Sequence, residues 1–198
     1  MNIDAKLVKS LRDKTGAGMM NCRKALQESE GDLEKAVDWL RKQGIAKAAK
    51  RSSRSASEGI VSSYVHLGGK IGVIVEVNCE TDFVARTDEF KELGHEIAMQ
   101  IAATSPLAVS REDLPKELIE KERSLYVEQA KESGKPEKIW DRIADGKLEK
   151  FFKDTCLVEQ TSIRDSDHTV EEMVKALAGK LGENIVVRRF ARFQIGDE

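Results

Sequence analysis

The feature that most limits the fold is a change of hydrophobic period at Gly59. Before it, apolar residues recur at helical spacing; beyond it they alternate. In residues 71–79, Ile71, Val73, Val75, Val77 and Cys79 point one way, with Glu76 and Asn78 on the other face. Successive side chains of a strand point to opposite faces, so this pattern describes a strand covered on one side. Residues 60–67 are similarly rich in Val and Ile, and Gly68-Gly69 predicts a two-residue hairpin turn between the two runs.

Upstream, residues 1–44 divide into three short helices. Asp4 can cap the first, whose apolar face holds Leu7, Val8 and Leu11 at i, i+3, i+4 spacing. Thr15-Gly16-Ala17-Gly18 breaks it, because glycine takes backbone angles closed to other residues. A second helix carries Met19, Cys22, Ala25 and Leu26. A third, capped by Asp32, presents Leu33, Ala36, Val37 and Leu40 and is expected to stop at Gly44. Residues 45–57 change character: Lys47, Lys50, Arg51 and Arg54 stand among alanines and serines, with no acidic residue. This is the pattern of a solvated basic linker, helical or extended, between two modules.

Downstream of the hairpin, Thr87 and Asp88 start a long helix whose stripe of Phe90, Leu93, Ile97 and Ile101 is expected to pack on the sheet. Pro106 and Pro115 punctuate a polar stretch. Residues 115–133 and 136–153 are amphipathic helices separated by Ser133-Gly134-Lys135-Pro136, and a further helix over 170–182 ends at Gly182. In 184–195, Ile185, Val187, Ala191, Phe193 and Ile195 alternate with polar positions, which predicts a third strand. The expected fold class is therefore α+β: a three-helix domain over 1–44, a linker over 45–57, and a core over 58–198. That core holds a small antiparallel sheet packed with helices, with a helical insertion at about 115–153.

Composition narrows the function classes. With 40% apolar and 34% charged residues, the chain can build a core under a heavily charged surface. A net charge of −2 gives no global attraction to a polyanion, and the basic run at 47–54 has no aromatic residue to stack on bases. Direct nucleic-acid binding is not expected. Cys22, Cys79 and Cys156 are isolated and odd in number, which suits a reducing cytoplasm and residues that fill small apolar gaps. The first residues lack a secretory pattern, and no apolar run approaches the ~18 residues of a membrane span. No membrane association is expected.

Reactive groups do not converge. His66, His95 and His168 fall in a strand, a helix and a loop without metal-ligand spacing, and no phosphate-binding loop, dinucleotide fingerprint or nucleophile elbow occurs. The expectation is a chain with no catalytic residue, no metal ligand set and no cofactor. Two spots stand out instead. In Gly16-Ala17-Gly18-Met19-Met20, adjacent methionines lie about 100° apart on a helix, so at least one is expected at the surface, where a flexible, polarizable side chain suits docking. The alternative is that both wrap a small core. In Asn78-Cys79-Glu80-Thr81-Asp82-Phe83-Val84-Ala85-Arg86, a strand end delivers Asp82 and Phe83 outside the sheet. There Phe83 can anchor in a partner's pocket or pack under its own loop.

These spots, in this order, resemble the elongation factor Ts family. Leu11-Arg12-Asp13-Lys14-Thr15-Gly16-Ala17-Gly18-Met19-Met20, followed by Lys24-Ala25-Leu26, is similar to the family's N-terminal signature. Asn78 to Arg86 is similar to its second signature, with the Thr-Asp-Phe-Val element at Thr81, Asp82, Phe83 and Val84. Gly182-Glu183-Asn184-Ile185 with Arg188-Arg189-Phe190 resembles its final strand. The resemblance runs from about residue 3 to 195. It implies that the three-helix domain is ubiquitin-associated-like. It also implies that the chain is a guanine-nucleotide exchange factor binding elongation factor Tu loaded with GDP. Lys9, Arg12, Met19 and Met20 would then form a docking face. Thr81, Asp82, Phe83 and Val84 would intrude beside the nucleotide, displace Mg²⁺ and promote GDP release.

Long forms of the family hold two core subdomains and a protruding coiled-coil pair, whereas this chain has room for one core module. Short forms restore the missing half by pairing, so the resemblance implies a homodimer and a 2:2 complex with the GTPase. Two other classes differ in their consequences. A ubiquitin-associated-like adaptor would bind through residues 1–44 alone, and a nucleic-acid binder would show steep salt dependence.

Overall fold

Two aspartates open the N-terminal helices as their positions predict. In the computed structural model, which describes residues 3–197, Asp4 accepts a hydrogen bond from the Lys6 amide at 3.0 Å and starts α1, Ala5–Thr15. Asp32 accepts from the amides of Glu34 (2.9 Å) and Lys35 (3.0 Å) and starts α3, Leu33–Ala49. Each side chain satisfies amides that a first helical turn leaves without partners. Donation led by the Lys35 amide holds the Asp32 carboxyl below its ordinary range. Met1, Asn2 and Glu198, at the outer ends of the expected domain ranges, lie outside the described residues, as does the side chain of Lys47 in the expected linker.

Between these helices runs α2, Met19–Glu28. Gly16 closes α1 in the left-handed region (φ 67°), and its N–H reaches the Arg12 carbonyl at 2.7 Å. A side chain there would be strained. Val8, Leu11, Cys22, Ala25, Leu26 and Ala36 form the buried centre of the bundle, with Leu7, Leu33, Val37 and Leu40 partly buried around it. Apart from Met19, which is exposed, the three apolar faces expected from spacing enter this core.

α3 departs from expectation at its end. It continues through Gly44 to Ala49, into the stretch expected to be linker. One internal glycine costs a helix only about 1 kcal/mol, and Ala46, Ala48 and Ala49 are strong helix formers. Gly44 also permits a close crossing with α8, Val170–Leu181. A Cβ built on Gly179 would sit 2.6 Å from the Gly44 Cα, while one on Gly44 would lie 3.8 Å from the Gly179 Cα.

β1 (Glu58–Val65), β2 (Ile71–Cys79) and β3 (Val186–Gln194) form one antiparallel sheet in the order β1-β2-β3. Val73, Val75, Val77 and Cys79 are buried and Ile71 is half-buried, as the alternation requires. The hairpin is longer than two residues. The His66 N–H bonds the Ile71 carbonyl at 2.9 Å, and the Gly69 N–H bonds the His66 carbonyl at 2.9 Å. Gly68 (φ 87°) and Gly69 (φ 68°) supply the left-handed backbone of the turn, but exposed Leu67 has nothing to hold it in the ladder. β3 also differs from the expected alternation. Ile185 and Val187 are buried, yet Phe193 and Ile195 are exposed, and Phe190 and Arg192 are the half-buried residues further on. The inward set changes parity after Val187, where Arg192 turns in to reach the Ala102 carbonyl at 3.4 Å.

The chain divides into two compact units. One comprises the residues through Ile60, with Asn78–Lys91 and Glu172–Val186. It holds the three-helix bundle, the turn after β2 and most of α8. The other comprises Val61–Val77, Glu92–Glu171 and the residues from Val187 onward. In it, the part of α5 (Asp88–Thr104) from Glu92 onward covers one face of the sheet. Tyr64 of β1 meets His95 edge-on at 5.8 Å between ring centres, and Ile97, Ala98, Ile101 and Ala102 are buried. Phe90 and Leu93, the first residues of the expected stripe, are buried too. α6 (Lys116–Glu132) and α7 (Trp140–Thr155) pair where the insertion is expected, with Arg123 bridging Asp141 (2.8 Å) and Asp145 (3.2 Å). Among the described residues, no helix is long and apolar enough to cross a membrane.

The glycine crossing makes an asymmetric prediction for denaturant melts. Gly179→Ala drives a methyl into the α3 backbone and is expected to lower stability by about 1–3 kcal/mol. Gly44→Ala meets only ordinary contact and is expected to hold or raise stability by up to about 1 kcal/mol. Equal effects from the two substitutions would contradict the crossing.

Candidate docking site

The segment after β2 is more ordered than a bare connection. Thr81 caps a single helical turn, α4 (Asp82–Ala85), its hydroxyl oxygen accepting the Val84 N–H at 3.4 Å. Val84 and Ala85 are buried beneath the turn. Helical neighbours are about 100° apart, so burying those two aims Phe83 outward. Phe83 is 88% exposed, which excludes the alternative that it packs under its own loop. The Asp82 carboxylate is engaged by Arg86 one turn later, Nε to Oδ1 at 3.0 Å and the second contact at 2.6 Å, with both side chains exposed.

Below the turn lies a polar base. The Glu183 carboxylate accepts the N–H groups of Glu80 and Thr81, each at 3.0 Å, and the Thr81 hydroxyl at 2.5 Å. Because that hydroxyl donates to Glu183, its lone pairs remain for the Val84 amide. In return, the Glu80 carboxylate accepts the Asn184 N–H at 2.7 Å. The buried Asn184 side chain donates to the carbonyls of Ser52 (3.3 Å) and Arg54 (2.8 Å). Cys79 donates its thiol to the Thr81 carbonyl at 3.2 Å. Burial, and then the Glu183 charge, push the Cys79 thiol pKa up.

The second expected site lies on the bundle. Lys9 and Arg12 are exposed three residues apart along α1, which places them on one helix face. Met19 (58% exposed) and Met20 (77%) occupy the first turn of α2. Both methionines are therefore at the surface, one more than spacing alone required, because Cys22, Ala25 and Leu26 fill the α2 side of the small core. Beside this helix start is a cleft of about 440 Å³, lined by residues that include Thr15, Gly18, Asn21, Trp39 and Lys180. Lys9, Arg12, Met19, Met20 and Thr81 to Val84 all belong to the same compact unit.

Sequence reasoning missed two contributors. Arg86 had a local signal, the i, i+4 spacing from Asp82. Glu183 had none: its partner Thr81 is 102 residues earlier in the chain, and only the folded structure joins them.

The structure thus leaves an aromatic side chain exposed on a braced turn and a pair of methionines exposed at a helix start. A model of the family described as elongation factor TS matches residues 24–197. The chain is 60% identical over 195 residues to an elongation factor Ts of Thermosipho melanesiensis, covering 98% of this chain and all of that one. It is 57% identical to one of Desulfosudis oleivorans, covering 98% of each. It is 56% identical over 197 residues to one of Fervidobacterium nodosum, with both chains covered in full. The chain belongs to the elongation factor Ts family, and so to the translation elongation factors.

All three cysteines are free and buried. At pH 8 the folded chain is expected to yield less than about one thiol to a disulfide reagent within minutes, and the denatured chain all of them. Rapid titration of Cys79 in the folded chain would contradict the packing beneath the turn.

Proposed function

We propose that this chain is a guanine-nucleotide exchange factor for elongation factor Tu, with no catalytic site of its own, acting in the cytoplasm. Residues 1–44 act as the docking domain, 45–57 as a linker, and 58–198 as the core module. The observation that carries the reading is the exposed Phe83 on its braced turn. An aromatic ring left in water has its burial free energy available for a partner, about 1.5–3 kcal/mol if it fills an apolar pocket there.

Exchange follows by linkage. GDP is held by a phosphate loop and by Mg²⁺ bridging phosphate to protein. A factor that binds the nucleotide-free, Mg²⁺-poor form better than the loaded form weakens nucleotide binding by the same factor that nucleotide weakens its own. Lys9, Arg12, Met19 and Met20 provide docking, and Thr81 to Val84 present Asp82 and Phe83 beside the nucleotide. Asp82 can oppose the metal only by exchanging Arg86 for a new neighbour. An exposed ion pair contributes at most about 1 kcal/mol, so that exchange is inexpensive.

The sheet supports the expected homodimer and a 2:2 complex. Val61, Val65, Ile74 and Phe193 are exposed apolar residues on its three strands. A second copy placing the same face against them would bury them symmetrically.

Phe83→Ala is expected to slow stimulated GDP release by roughly 10- to 100-fold, read as release of labelled GDP from the GTPase. Wild-type speed would refute the role of Phe83. Asp82→Ala should lose activity in a manner that depends on Mg²⁺ concentration, and an effect indifferent to Mg²⁺ contradicts metal displacement. In sedimentation, the chain is expected to run as a dimer that Ile74→Glu dissociates; a monomer at tens of micromolar, a range typical of such runs, would contradict pairing.

A further inference from the structure

The geometry points to Glu183 as the positioning residue that holds the Asp82–Phe83 turn in its outward, partner-ready form. The inference rests on the exchange reading and extends it to a residue about 100 positions away from the turn.

The placement of Glu183 is unfavourable for a carboxylate considered locally. It follows Gly182, which takes φ 81° and whose N–H caps the Ala178 carbonyl at 2.9 Å. Glu183 therefore sits just past the C-terminal end of α8, where the helix dipole favours a cation. Its compensation is the set of three donors from Glu80 and Thr81. Local chemistry that conflicts with its element and is offset by one distant contact set marks a residue kept for that contact.

The contact set acts on Phe83 through a short chain of bonds. Glu183 fixes both backbone N–H groups leading into α4 and orients the Thr81 hydroxyl so that it caps Val84. Val84 and Ala85 are then buried, and Phe83 is turned to solvent. Asn184 closes the base from the other side, through the Glu80 carboxylate and the carbonyls of Ser52 and Arg54. In a Glu183→Gln chain the charge is lost, and the amide nitrogen either faces the Glu80 and Thr81 N–H groups or donates to the Thr81 hydroxyl, which then no longer donates into the base, so the turn is held more weakly.

The test is stimulated release of labelled GDP from elongation factor Tu as the concentration of the full chain is raised. The docking residues on α1 and α2 are untouched. Glu183→Gln is therefore expected to lower the maximal rate about 10-fold and to shift the half-saturating concentration by less than about 3-fold. Because Glu183 acts through Phe83, the same substitution in a Phe83→Ala background is expected to cost little further. A wild-type maximal rate for Glu183→Gln overturns the assignment, as does an equal loss in both backgrounds, which marks a general effect on folding. If Glu183→Gln fails to fold, Thr81→Val removes only the hydroxyl contacts and is judged by the same two criteria. Amide exchange in the free chain separates this inference from the reading beneath it. Glu80 and Thr81 are expected to exchange about 10-fold faster in Glu183→Gln whether or not the wild-type chain stimulates release. Unchanged amide protection overturns the positioning role, whereas a wild-type chain that leaves GDP release unchanged overturns the exchange reading.

Discussion

The Glu183 carboxylate gathers three donors from a segment more than 100 residues earlier in the chain, and the exposed end of the molecule's most conspicuous turn depends on that gathering. An aromatic ring in water is drawn toward any apolar surface nearby. Phe83 stays outward because the space beneath it is already filled by Val84, Ala85 and a satisfied polar base. Carboxylate, amides and hydroxyl meet at 2.5–3.0 Å, within the range of charge-assisted hydrogen bonds. Asn184 extends the same base to the chain leaving the N-terminal bundle.

A similar economy governs the bundle. Its core is small, with two alanines (Ala25 and Ala36) among its buried residues, and it has no room for Met19 or Met20. The methionines are outward for want of space rather than by any polar contact. Flexible thioether side chains at a helix start suit a surface that must conform to a partner. The Gly44–Gly179 crossing brings α3 and α8 into backbone contact inside that unit.

Most of the architecture was legible because it is written in local periods. Spacing placed the N-terminal helices, the one-faced β2 strand and the buried stripe of α5 close to where they lie. The misses come from local signals outweighed either by neighbouring residues or by long-range contacts. α3 passes Gly44 because the alanines after it outweigh one breaker, and α8 packs against that glycine. β3 changes its inward parity because Arg192 finds a carbonyl on α5. In the site, Phe83 and the methionines were legible as exposed candidates, and Arg86 was readable from its spacing to Asp82. Glu183 was not, since no local pattern links it to Thr81. Its motif was visible only as part of a resemblance, without a role.

The central claim is that this chain loosens the hold of elongation factor Tu on GDP. Its most direct test is release of labelled GDP from that GTPase, in the presence of Mg²⁺ and excess unlabelled nucleotide, across a range of chain concentrations. The account predicts a release rate that climbs with chain concentration and saturates. A rate that stays at its spontaneous value, however much chain is added, would contradict it.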